Sequence, residues 1–123
     1  MNTERNQWRE LAVEEIGRTL EDLPAPLRER AQRLAVTFES VPSADMQAYG
    51  IEHDTLGIFT GSEFVEEGQT VMPPQIILFL GNLWDMVAGD EKAFREEIRV
   101  TFLHELGHYF GLDEGELAER GLE

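Results

Sequence analysis

The 123-residue sequence predicts an α+β fold, a small sheet of about three strands packed against helices. Three observations lead there. Apolar residues near the N-terminus recur at helical spacing, the middle of the chain switches to strand-like patterning, and the last third returns to the helical period for about twenty residues. The length suits one domain, 1–123, with a core that needs no disulfide or structural metal, and no internal repeat or linker divides it.

In the first helix Trp8, Leu11, Ala12, Ile16 and Leu20 form the buried stripe, with Thr3 as N-cap. Pro24 interrupts it. Pro26 suits the first turn of a short helix that runs to about Gln32. Leu34, Val36 and Phe38 then alternate with Ala35, Thr37 and Glu39, the two-residue period of a half-buried strand. VPSAD breaks that strand, and the stretch to His53 reads as irregular. LGIFTG, 56–61, is a second short strand ended by Gly61. The segment from Ser62 to Pro74 is turn-rich, since Pro73-Pro74 cannot lie inside a central strand, and it reads as a flexible rim. QIILFL is apolar on both faces and therefore a well-covered strand.

Asp90 caps the long helix that follows. Phe94, Ile98, Phe102, Leu106 and Tyr109 mark its buried face, and Gly111 terminates it. A last short helix spans about Glu114 to Arg120.

Composition removes several function classes. With no cysteine there are no thiolate metal sites, disulfides or cysteine nucleophiles. Net charge is −15, from 25 acidic and 10 basic residues. Binding to nucleic acid draws on Lys and Arg neutralising phosphates, so this surface opposes it, and it opposes anionic membranes too. The charged N-terminus, MNTERNQWRE, lacks the apolar core of a signal peptide, and IILFL is too short to span a bilayer. A soluble, cytoplasmic protein is expected, and most of its carboxylates serve solubility.

The run HELGHYFGLDE, 104–114, carries the chemistry. Residues four apart on a helix share a face and lie about 6 Å apart along its axis, so His104 and His108 can converge on one ion. Glu105 stands about 100° further round, beside the ion, where it can take a proton from zinc-activated water. Glu97, Thr101, His104 and His108 share one face, which would open to a cleft. The plainer alternative is a pair of surface histidines on an amphipathic helix. The whole constellation argues against it, because Gly111 and an acidic residue follow the first histidine by seven and ten positions. Gly111 can take positive φ and turn the chain back toward the ion. Two carboxylates follow that turn. Asp113 is placed to cap the final helix, with Glu116 completing a box, so Glu114 is the favoured third metal ligand beside His104 and His108, with Asp113 the alternative. His53 lies in a polar stretch and reads as exposed.

HExxHxxGxx followed by a ligand residue resembles the extended signature of zincin metallopeptidases, which carry histidine or aspartate at the last place. LGIFTG, then PPQIILF, then REEIRVTFLHELGHYFGLDEGEL is similar to the small bacterial zincin-like metallopeptidases. The resemblance spans most of the chain and is tightest from about residue 54. It implies a minimal zincin fold, with the active-site helix packed on a small twisted sheet. It also implies Zn2+ as cofactor, Glu105 as general base, and hydrolysis of a peptide or protein substrate. Members commonly have a second histidine where this chain has Tyr109, which faces the core side of its helix. Two other readings compete. One is a non-catalytic metal-binding or interaction module on the same fold. The other is a metal-dependent endoribonuclease, since a family that processes ribosomal RNA carries HxxxHxxGxDH. Asp113 matches that frame, but Glu114 replaces its third histidine.

Overall fold

A computed structural model describes residues 3–61 and 74–111 of the chain. These residues form five helices and three strands. In chain order they are α1 (Thr3–Asp22), α2 (Ala25–Ala31), β1 (Ala35–Glu39), α3 (Ala44–Ala48), β2 (Gly57–Thr60), β3 (Gln75–Phe79), α4 (Leu80–Met86) and α5 (Glu91–Tyr109). The α+β class and the minimal zincin-like architecture expected from the sequence are both present. The Ser62–Pro74 rim (except Pro74), the final helix with its Asp113 cap, and Glu114 lie outside the described residues, as do the side chains that bear on the Thr3 cap.

The sheet order is β1-β3-β2, with β1 parallel and β2 antiparallel to β3. β3 takes the centre because it is the one strand apolar on both faces. Ile76 and Leu78 join the main core, while Ile77 and Phe79 are buried on the opposite side. β1 keeps the alternation read from its sequence, with Val36 and Phe38 turned inward. One face of the sheet rests on α5, which packs against β2 and β3 and, on its other side, against α1. Leu11, Ala12 and Ile16 of α1 meet Phe94, Ile98, Phe102 and Leu106 of α5 in one cluster. Burying a side chain of this size stabilises the fold by about 1.5–3 kcal/mol. The pairing of α1 with α5 therefore fixes how α5 is rotated.

Two helices lie where the sequence reading had none. α3 occupies the stretch taken as irregular. Ser43 caps it, its hydroxyl oxygen accepting from the Met46 N–H at 3.2 Å. α4 begins at Leu80, the residue read as the end of the last strand. The change of period is hidden there, because an unbroken apolar run satisfies a buried strand and a buried helix equally. Its first N–H groups, of Gly81 and Asn82, donate to the Ser40 carbonyl at 2.9 and 3.3 Å. Ser40, the residue that follows β1, thus supplies the cap that α4 lacks in its own side chains.

Candidate metal centre

The site is built on the last turns of α5. At its start, the Asp90 carboxylate accepts from the Ala93 N–H at 3.2 Å, the cap read from the sequence. At its end, Phe110 N–H reaches the Leu106 carbonyl and Gly111 N–H the His108 carbonyl, at 2.9 and 3.0 Å. Gly111 has φ +77°, the left-handed conformation that ends a helix and that glycine adopts without a steric penalty. Between these ends, burial of Phe94, Ile98, Phe102 and Leu106 leaves the opposite side of the helix for polar groups.

On that side His104 is half-buried and His108 exposed. Their Nε2 atoms stand 3.1 Å apart, with the two rings nearly perpendicular. A carboxylate oxygen of Glu105 and one nitrogen of each imidazole all lie within 4.8 Å of one another. Two imidazoles on one tetrahedral zinc, at about 2.0–2.1 Å each, would hold their nitrogens about 3.3 Å apart. The donor set therefore fits zinc: two borderline-soft nitrogens converge, and a carboxylate stands beside them. A second group, Glu52, His53 and Asp54, is consecutive in sequence and exposed, as expected for His53. It occupies a surface turn.

β2 borders the site, and the reason is a glycine the sequence reading passed over. A Cβ on Gly57 would stand 2.8 Å from the Thr101 methyl and 3.1 Å from a Leu78 methyl. The missing side chain lets β2 lie directly on α5. Thr101 is consequently covered by β2 and nearly fully buried, at the base of the cleft onto which its face was expected to open. A lone glycine inside a strand pattern is the available signal for such close approach. Asn82 is a second positioning residue that the sequence did not disclose. Its side-chain amide donates to the carbonyls of His53 and Thr55, at 2.8 and 2.9 Å, and so holds the segment that leads into β2.

A cavity of about 270 Å³ opens between β2 and α5, lined by Leu56, Gly57, Glu97, Val100, Thr101, His104 and Glu105. Tyr109 faces away from it. Its hydroxyl donates to the Arg30 carbonyl at 3.3 Å and its ring packs on Phe59 and Phe110, the packing role read from its position.

A helix bearing two converging histidines and a flanking glutamate, laid against a small mixed sheet with an antiparallel edge strand, is the arrangement of a zincin-type metallopeptidase. The model of the zincin-like metallopeptidase family matches residues 31–122, and the chain belongs to that family. A comparison with curated proteins found no match. Among the described residues no helix is long and apolar enough to cross a membrane.

Proposed function

We propose that the protein is a zinc-dependent peptidase in which His104, His108 and Glu114 hold the metal and Glu105 is the general base. The observation that carries this reading is the 3.1 Å approach of the two Nε2 atoms with the Glu105 carboxylate beside them, in a chain of a metallopeptidase family. Zinc, when bound, supplies Lewis acidity, polarising a carbonyl and bringing the pKa of water to about 7. Glu105 takes a proton from the water as its oxygen bonds to the carbonyl carbon of the peptide. The carboxylic acid then gives that proton to the amide nitrogen as the C–N bond breaks, so the products are an acid and an amine.

The substrate in this reading is an extended peptide laid along β2. Leu56 C=O accepts from Phe79 N–H at 2.9 Å. Antiparallel pairing alternates, so the backbone groups of Gly57 and Phe59 point away from β3, toward the open edge. Among the described residues β2 pairs with β3 alone. A peptide strand can take up these groups and pass over Glu105, which is recognition by strand addition.

Replacing Glu105 with glutamine tests the mechanism. The amide cannot accept the proton, so hydrolysis of a peptide library with zinc should fall by about 10²–10⁴-fold while zinc content is unchanged. Equal rates in the two proteins would reject the role. Full zinc content with no hydrolysis by either protein would favour a metal-binding module.

A further inference from the structure

The cavity beside the metal centre has two kinds of wall. Leu56 and Val100 are apolar, and Val100 is 44% exposed. Gly57 and Thr101 form the floor, where β2 and α5 are in contact. At one side stands Glu97, half-buried and one helical turn before Thr101. Among the described residues Glu97 makes no ion pair. The two arginines that flank it in sequence are turned away: Arg95 lies beside Glu14 and Glu15, and Arg99 pairs with Asp22. Among the described residues no Lys or Arg lines this cavity, nor the neighbouring one that shares Leu56 and is lined by Asp54 and Asp85.

A side chain fitting this space needs an aliphatic stem and a cationic end. Lysine and arginine have that form, since they lay a methylene stem on apolar surface and carry the charge to its edge. We propose that the cavity is a subsite for a lysine or arginine side chain of the substrate and that Glu97 selects it. The inference rests on the peptidase reading and adds the substrate class to it. A peptide strand on the β2 edge turns every second side chain toward one face, so one residue of the substrate enters the cavity while its backbone passes Glu105. An uncharged residue of similar length would fill the same walls and leave the carboxylate to water. A glutamate would be repelled.

The test is binding, which does not depend on turnover. Fluorescent peptides carrying a single lysine, norleucine or glutamate at successive positions are titrated onto the zinc-loaded full-length Glu105→Gln protein, with anisotropy as readout. At one position lysine should bind about tenfold tighter than norleucine, the effect of one charged hydrogen bond, and glutamate weaker than both. The lysine advantage should shrink as ionic strength rises. Adding Glu97→Gln should bring lysine and norleucine within about twofold, and Glu97→Lys should favour glutamate. Far-UV circular dichroism checks the fold, and if Glu97→Lys fails to fold, Glu97→Gln alone decides. Equal affinities for lysine and norleucine at every position, or a lysine preference that survives Glu97→Gln, would overturn the subsite. Such a result alongside normal hydrolysis would leave the peptidase reading standing. A Glu97-dependent lysine preference without hydrolysis by wild type would overturn that reading alone.

Discussion

On the side of α5 that faces α1, Arg95 and Arg99 each stand beside oxygens of α1. Arg99 donates to Asp22 at 3.1 Å and to the Thr19 hydroxyl at 3.3 Å, and that hydroxyl in turn donates to the Glu15 carbonyl at 2.7 Å. Arg95 stands 3.7 Å from both Glu14 and Glu15, close enough for charge attraction but too far for hydrogen bonds. On the side that faces β2, two imidazoles point their nitrogens at each other and a carboxylate stands alongside. The first arrangement is explained by folding, because opposite charges join two helices. The second gathers two imidazole nitrogens and a carboxylate at one point, an arrangement that suits a cation. The same helix thus separates the arginines that join it to α1 from the two imidazoles by about half a turn.

The comparison can be tested from both sides. The largest effect belongs to the metal side, where Glu114→Ala should weaken zinc binding by orders of magnitude at little cost in stability. Asp113→Ala should do the opposite, lowering stability by about 0.5–2 kcal/mol as a lost cap while zinc affinity holds. Titration with a competing chelator and thermal melts read the two quantities, and the reverse pattern would assign the ligand to Asp113. Next comes the α1 side, where Phe94 is fully buried and in edge contact with Trp84. Phe94→Ala should cost about 3–5 kcal/mol in denaturant unfolding and leave zinc stoichiometry unchanged in the folded protein. The smallest effect is Arg99→Ala. Its ion pair is well exposed, so a loss of only about 0.2–1 kcal/mol is expected, diminishing with added salt. A larger zinc effect from Arg99 than from Glu114 would dissolve the distinction between the two faces.

The sequence disclosed these two faces unevenly. The spacing of His104 and His108 and the stop at Gly111 were legible because a helix repeats every 3.6 residues, so local order alone sets which side chains converge. The stripe from Phe94 to Leu106 was legible for the same reason. The contribution of β2 was not. Gly57 matters only because Thr101 lies beneath it, and Asn82 only because it reaches the carbonyls of His53 and Thr55, contacts that span tens of residues. The start of α4 at Leu80 is concealed by an apolar run that fits either period, and α3 by a capping serine that reads equally as a strand breaker. The third ligand depends on where the chain goes after Gly111, a direction that helical periodicity does not supply.

Zinc content per chain is the direct test of the central claim, measured by mass spectrometry of the native protein and by elemental analysis after loading and desalting. Wild type should hold one zinc, released by chelator, and the His104→Ala, His108→Ala double variant should hold none while keeping its helical circular dichroism. Stoichiometric zinc in the folded double variant, or none in wild type after loading, would contradict a metal centre on this face of α5.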